Sequence, residues 1–270
     1  MNRYLLSPFF LDQPAPDLLR LSRKGWKLNQ PTLAPTPALS RLAITNDAIA
    51  AFVEDTVRHS FRAVSVAGDC CAAIGVVAGL QRAGLKPRVL WLDAHGDFNT
   101  PETSPSGFLA GMALAMLVGR GDLELPSRLR VETLDERVVV LTDARDLDPL
   151  EREALESSLV SHVASVEQLD QVDFGADPLY VHFDCDILDP REAPAMMYPT
   201  PNGPSVATLE AVLGRVAARA NIVAVSLTTW AISKDQTGET ARAVNRVLDV
   251  LVSETEKAEK TERAERTKRR

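Results

Sequence analysis

The chain has 270 residues, of which 45% are apolar and 25% charged, a composition typical of a folded protein with a large core rather than a disordered chain. Its 30 Lys and Arg against 37 Asp and Glu give a net charge of −7, which argues against nucleic acid or an anionic membrane as the main partner. No apolar run reaches the roughly 18 residues of a membrane span. Three cysteines form no disulfide framework, so we expect a cytoplasmic protein.

Six prolines interrupt residues 1–45, so we expect this segment to be irregular, wrapping the surface or supplying one edge strand. From residue 63 onward, short β-rich runs alternate with longer helical ones. The predicted pairs of strand and helix are 63–67 with 71–83, 88–92 with 108–118, 137–141 with 149–158, 179–183 with 206–220, and 222–227 with 238–253. Near-continuous apolar strands require burial on both faces, which predicts an α/β fold with a parallel sheet, as one domain over residues 1–252.

Residues 253–270 form a charged tail with seven basic and five acidic side chains. Glu256, Glu259 and Glu262 each precede a basic residue by four positions, a spacing that favours a helix. Because the tail has no apolar stripe to bury, we expect a solvated extension of the last helix rather than a docking arm.

Four predicted strands end in an aspartate, namely Asp69, Asp93, Asp143 and Asp184. In an open parallel sheet, ligands bind beyond the carboxyl ends of the strands, so these four side chains can converge on one crevice. Alternatively, each aspartate only caps the segment that follows it.

Two of these strand ends carry further ligand-type residues at alternate positions. Asp93 is followed by His95 and Asp97, and Asp184 by Asp186. While the backbone stays extended, alternate side chains share a face. Four carboxylates in one crevice repel one another unless cations are present, and carboxylates with an imidazole suit Mn²⁺. The paired clusters therefore favour a divalent-metal site over simple capping.

The run Asp93-Ala94-His95-Gly96-Asp97 resembles the D-A-H-x-D motif of the ureohydrolases, the family that includes arginase and agmatinase. Residues 183–190 are similar to the family's second motif, and residues 67–70 to its first, G-G-D-H, so that the resemblance covers about residues 60–250. It implies a three-layer αβα fold around an eight-stranded parallel sheet. It also implies two Mn²⁺ ions, a bridging hydroxide that cleaves a C–N bond of a small guanidino or amidine substrate, and a homo-oligomer, either a trimer or a hexamer.

The resemblance also implies roles for individual residues. Asp93 and Asp184 would bridge the ions, and His95 and Asp186 would complete one metal site. Asp97 would join the other site and orient the hydroxide, so that Asp97 and His95 are the expected catalytic residues. The expected substrate-binding positions are Asn99, Ser106, Phe108 and Thr228, and Trp230 is expected with Phe108 at the pocket mouth.

Several positions depart from the family pattern. Cys70 stands where the motif has its first histidine ligand, and both a thiolate ligand and a small buried hydrophobe are open interpretations. Ala110 replaces the loop histidine credited with proton transfer, and Thr228 or Thr229 replaces the glutamate that holds the guanidinium. These departures favour a less cationic substrate, such as an N-hydroxyguanidino compound, over arginine.

Two other functions compete with this interpretation. A catalytically silent family member, kept as a binding or oligomer-forming subunit, would not need to hold two ions. Metallophosphoesterases also place D-x-H after a strand, but they need further histidine motifs that the four histidines here do not form. For His182, which shares strand parity with Asp184, we expect core packing, with orientation of a metal ligand as the alternative.

Overall fold

The computed structural model describes residues 1–253. Its strands are β1 (Asn2–Leu6), β2 (Phe9–Phe10), β3 (Gln13–Pro14), β4 (Lys27–Leu28), β5 (Arg62–Val66), β6 (Arg88–Asp93), β7 (Val139–Asp143), β8 (Ser161–His162), β9 (Pro178–Asp184) and β10 (Asn221–Thr228). Its α-helices are α1 (Ala38–Arg58), α2 (Ala72–Arg82), α3 (Ala113–Leu117), α4 (Glu124–Leu129), α5 (Pro149–Glu156), α6 (Val206–Arg219) and α7 (Glu239–Val252). Short 3-10 helices span Pro16–Leu21, Leu109–Met112, Glu136–Val138, Val166–Gln171, Cys185–Ile187 and Ile232–Lys234.

Eight strands form one parallel sheet in the order β4-β1-β5-β10-β9-β6-β7-β8, and β2 pairs with β3 as a separate antiparallel hairpin. One core lies between the sheet and α1 to α5, and the other between the sheet and α6 and α7. Alternation along β9 assigns Tyr180 to the first core and Val181 and Phe183 to the second. The expected αβα fold with an eight-stranded parallel sheet is confirmed.

The predicted helix over 108–118 forms instead as a 3-10 helix followed by the short α3. The helical partner of the Ala115 N–H would be the carbonyl of Gly111, but Ala115 donates to the carbonyl of Asp97 at 3.0 Å. The carbonyl of Gly111 accepts the N–H of Asn99 at 3.2 Å. The loop after β6 thus takes over these two backbone groups, and the regular helix begins late.

The expectation for residues 1–45 is wrong in two respects. β1 is an interior strand between β4 and β5, and α1 begins at Ala38 inside the supposedly irregular segment. One partner of β1, the strand β5, lies about sixty residues away, as in the pair Leu6 and Val66, and the other, β4, has only two residues, so no local pattern reveals the interior place of β1. The Asn2 side-chain amide donates to the Val252 carbonyl at 2.8 Å, which brings the two ends of the described chain together.

The prediction for the charged tail concerns residues that are nearly all outside the described part of the chain. Within residues 1–253, no helix is both long enough and apolar enough to cross a membrane.

Helix α2 approaches α1 very closely through two glycines. A Cβ on Gly79 would lie 2.5 Å from the Ala50 carbonyl oxygen, and one on Gly75 would lie 2.6 Å from that of Asn46. The Gly75 N–H also donates to the Asn46 side chain at 3.0 Å. This contact matters for function because α2 follows directly after Cys70 and fixes the end of β5.

We expect Gly79→Ala to lower the free energy of unfolding by about 1–3 kcal/mol, because the added methyl overlaps the α1 backbone. Gly214→Ala in α6 is the matched control, since its methyl would meet only Val250 at 3.7 Å. There we expect a gain of up to about 1 kcal/mol from the better helix former. Urea unfolding of both variants measures this, and equal stability of Gly79→Ala and wild type would contradict the close contact.

Candidate functional site

The carboxyl ends of the central strands open into a pocket of about 420 Å³. Eight acidic side chains line it: Asp69, Asp93, Asp97, Asp146, Asp148, Glu151, Asp184 and Asp186. Among the described residues, no Lys or Arg lines the pocket, and His95 is the one lining side chain that can carry a positive charge. Such a surplus of negative charge favours a cationic occupant.

Three ligand-type side chains meet on the open side of this pocket. His95 Nδ1 lies 3.2 Å from Asp186 Oδ2 and 3.4 Å from Asp93 Oδ1, and we call these three residues the open group. Burial disfavours charge on the His95 imidazole, but hydrogen bonds and attraction to both carboxylates outweigh it and raise its pKa to about 12. A positive charge is therefore strongly stabilised between the two acids.

A second set of ligand atoms lies deeper in the protein. One ligand atom from each of Cys70, Asp93, His182 and Asp184 lies within 4.8 Å of the others, and we call these four residues the buried group. The Cys70 thiol donates to Asp184 Oδ2 at 3.0 Å. Burial, and next the negative charges of nearby aspartates, raise the pKa of this thiol well above its ordinary value. Cys70 thus faces the acids directly, and its role as a ligand stays a prediction.

Asp97 enters the pocket with an unusual environment. Its backbone is left-handed, with φ of +47°, and the side chain is buried, yet its Oδ2 has no hydrogen-bond partner among the described residues. Burial, together with the charges of Asp93 and Asp184, raises its pKa well above the ordinary value. A buried carboxylate oxygen without a partner is costly, and a bound cation would satisfy it.

Strand register and two tight turns aim the acids at one place. Thr228 on β10 pairs with Asp184 on β9, and its hydroxyl donates to Asp184 Oδ2 at 3.1 Å. Asp93 Oδ1 accepts the N–H of His95 at 2.7 Å, and Asp184 Oδ1 accepts that of Asp186 at 2.9 Å. Each aspartate therefore does cap the turn that follows it, and the same turn brings the next ligand-type side chain to the pocket.

The other two aspartates at strand ends serve mainly the surrounding loops. Asp69 accepts the N–H of Leu11 at 2.6 Å, which ties the β2–β3 hairpin to the pocket. Asp143 pairs with Arg145, whose Nη1 lies 2.9 Å from Asp143 Oδ1. Arg145 also donates to the backbone carbonyl of Asp186 at 3.0 Å and so fixes the loop after β9.

The predicted substrate-binding positions divide between the pocket and its floor. Asn99, Ser106 and Phe108 line the pocket. Of the two threonines, Thr229 lines the pocket, whereas Thr228 lies beneath it with its hydroxyl on Asp184.

Aromatic rings surround the pocket mouth. Phe108 lies between Phe10 and Tyr198, with ring centroids 6.1 Å and 5.5 Å away. Trp230, which we expected at this mouth, is only 6% exposed and packs in the core under α6 and α7 instead. Trp230 forms an isolated β-bridge with Met196, which belongs to the same core.

Sequence reasoning missed several residues of the pocket. The acids that follow β7, Asp146, Asp148 and Glu151, were within reach of the strand-end argument, since that strand also ends in an aspartate. No local sequence pattern marks Phe10 and Tyr198 as pocket residues, because only the packing of distant loops brings them to the mouth.

The fold and site together define an α/β protein with a potential metal site at the carboxyl ends of its strands. A family model described as the arginase family matches residues 20–253, and the chain belongs to that family of amidinohydrolases. The chain is similar to the N(omega)-hydroxy-L-arginine amidinohydrolase of Streptomyces lavendulae, with 30% identity over 220 residues that cover 80% of this chain and 74% of that protein. It is 34% identical over 180 residues to an arginase of Schizosaccharomyces pombe, covering 61% of this chain and 55% of that protein.

Solved structures support the same fold. The chain matches an arginase of Bacillus cereus with a TM-score of 0.78 at 22% identity, covering 94% of this chain and 98% of that one. An arginase of Bacillus subtilis gives a TM-score of 0.77 at 23% identity, covering 94% and 99%. The ureohydrolase resemblance of the sequence motifs is thereby confirmed.

We expect Asp97→Asn to leave the metal-free protein at least as stable as wild type, because the substitution removes a buried like charge at almost constant volume. Mn²⁺ at 100 times its Kd should raise the Tm of wild type by about 5–10 °C, and that of the variant by clearly less. Thermal unfolding with and without Mn²⁺ measures both effects. Asp177→Asn, an exposed aspartate, is the charge-matched control, and an unchanged Mn²⁺ response in Asp97→Asn would contradict the expectation.

Proposed function

We propose that the chain is a binuclear-metal hydrolase that cleaves a C–N bond of a small guanidino compound, with an N-hydroxyguanidino compound preferred. The observation that carries the proposal is the meeting of the two family motifs, one after β6 and one after β9, in a single acidic pocket.

The residues of the pocket fit two divalent cations. Asp93 belongs to both the open and the buried group, so it is placed to bridge, and the unpartnered Oδ2 of Asp97 is available as a further ligand. The oxygen-rich donors favour Mn²⁺. When bound, two such ions lower the pKa of a water molecule so that it attacks as hydroxide, and they polarise the substrate.

The side chains around the cations supply orientation. Hydroxyl groups of Thr228 and Thr229 donate to the two oxygens of Asp184, which fixes the plane of that carboxylate. Asp97, with one free oxygen in the pocket, is placed to accept a hydrogen bond from the attacking water.

Proton transfer to the leaving amine needs another group, since Ala110 cannot provide it. Nε2 of His95 lies 3.9 Å from Asp146 Oδ2, and the His95 ring is 31% exposed. With Nδ1 turned to the open group as a ligand, Nε2 keeps its one proton, so we assign proton transfer to the Asp146 carboxyl, which lines the pocket and faces solvent.

The pocket wall supports the choice of substrate. Thr229 offers a neutral hydroxyl where a glutamate would offer a negative charge. A guanidino group with a lower pKa therefore loses less binding energy at this position than a fully charged guanidinium does. The acidic wall, with Asn99 bonded to Asp148 at 3.0 Å, suits the polar end of an amino acid. The similarity to the Streptomyces lavendulae hydroxyarginine hydrolase supports the same choice.

Asp93→Asn should abolish metal binding and activity together, because it removes a charge shared by both ligand groups. The loss of metal affinity should exceed the roughly 10–100-fold that loss of an outer hydrogen-bond partner costs. Metal analysis and urea release by the purified variant measure this, with Asp177→Asn as the control. Full metal content and full activity in Asp93→Asn would contradict a bridging role.

Substrate preference is tested by urea or hydroxyurea release from a panel of guanidino compounds with Mn²⁺-loaded protein. We expect kcat/KM for N-hydroxyarginine to exceed that for arginine by about tenfold or more, equivalent to roughly 1.4 kcal/mol. No turnover of any guanidino or formimino compound, in protein that does not hold two ions, would instead identify a silent subunit.

Two further properties stay predictions. A cytoplasmic location rests on the three cysteines, all of which are buried and free. A homo-oligomer, a trimer or a hexamer, rests on the family resemblance.

A further inference from the structure

A buried imidazole that belongs to none of the family motifs faces the buried group. His182 lies on β9 two residues before Asp184, is fully buried, and stacks on Trp91 with ring centroids 3.8 Å apart. Its Nδ1 lies 2.8 Å from the Ser226 hydroxyl oxygen. The mechanism described above gives this side chain no task.

The geometry of the buried group is close to that of a metal site. Its four ligand atoms lie within 4.8 Å of one another. Ligand atoms about 2.0–2.3 Å from a shared cation are up to roughly 4.5 Å apart when they lie on opposite sides of it. Small movements of these side chains are therefore enough for all four to hold one ion.

An independent observation in the same pocket also points to a cation. Asp97 Oδ2 is buried and without a hydrogen-bond partner among residues 1–253, and no Lys or Arg of that range lines the pocket to neutralise it. The Asp97 carboxyl lies beside the buried group, since the Cys70 thiol and the charges of Asp93 and Asp184 act on it.

We propose that His182 is the imidazole ligand of this ion, in place of the histidine that the family motif has at the position of Cys70. The inference rests on the proposed function, since both require the pocket to bind divalent cations. The buried group then offers one sulfur, one nitrogen and two carboxylates, a donor set that suits Zn²⁺. The open group, with two carboxylates and one nitrogen, suits Mn²⁺. The protein would hold two different ions.

The hydrogen bonds around His182 admit a tautomer in which Nε2 is free. The Thr228 hydroxyl donates its proton to Asp184 Oδ2 at 3.1 Å, so it has none to donate to His182 Nε2, 3.4 Å away. With Nδ1 protonated and donating to Ser226, the lone pair of Nε2 faces the buried group. Metal-bound histidines are oriented in this way, by donating their other N–H. If His182 only packs in the core, neither of its ring nitrogens changes its chemical shift when a cation binds.

The test observes the imidazole nitrogens of the full-length protein, which has only four histidines. Protein labelled with ¹⁵N-histidine is stripped of metal and titrated with Zn²⁺ alone, and long-range ¹⁵N–¹H spectra are recorded. We expect Nε2 of His182 to move to a metal-bound chemical shift with the first equivalent, while Nδ1 stays protonated. His59 and His162 lie outside the pocket lining and serve as internal controls.

Variants give a second readout. His182→Gln should weaken binding of the first Zn²⁺ by more than the roughly 10–100-fold typical of an outer partner. Tyr180→Phe is the matched control, because the Tyr180 hydroxyl is equally buried and bonds to Ser226 at 2.7 Å but belongs to neither ligand group. For this control we expect a change below about tenfold. If His182→Gln does not fold, the wild-type spectra still decide.

The outcomes distinguish failure of the inference about His182 from failure of the proposed function. If wild type binds two ions while the His182 nitrogens do not shift, or if His182→Gln binds Zn²⁺ like wild type, the inference about His182 is overturned and the proposed function stands. If folded wild type binds neither Zn²⁺ nor Mn²⁺, both are overturned.

Discussion

Repulsion between buried carboxylates is the constraint on which the active end of this molecule depends. Asp93, Asp97, Asp184 and Asp186 are each almost fully buried in one pocket, with His95 as the one basic side chain of the described residues that lines it. Without a cation, such a cluster can exist only if some of its members are protonated and the backbone holds the rest in place. The pKa values of Asp97 and Asp186 are raised well above the ordinary value for this reason, with burial as the first cause.

The rest of the fold holds these groups against that repulsion. Parallel strands in register place the acids on one edge, and turns that cap the strand ends keep them pointing inward. Arg145 fixes the loop after β9 by donating to a backbone carbonyl of that loop. The close contact between α1 and α2 fixes the residues after β5. Since both supports lie outside the ligand groups, the site can keep its geometry whether or not its charge is compensated.

The sequence predicts the part of this arrangement that is local. Five strands and four of the five helices that follow them are predicted by periodicity. The convergence of the acids at strand ends follows from position, because in a parallel sheet every carboxyl end lies on the same edge. The interior position of β1, the aromatic mouth and the loss of Trp230 to the core depend on packing between distant segments. Strand parity predicts that His182 and Asp184 share one face of their strand. It does not predict that His182 lies close to Cys70, because Cys70 follows a different strand.

Asn2 is the first residue of β1 and Val252 is the last residue of α7, so the hydrogen bond between them lies at the amino end of β1, on the edge away from the pocket. A short linker between these two positions would not cross the substrate entrance. The arrangement makes the protein a good candidate for circular permutation, with new termini opened in an exposed loop on that same remote side. It also means that a fusion partner or affinity handle attached before residue 2 would begin far from the bound substrate.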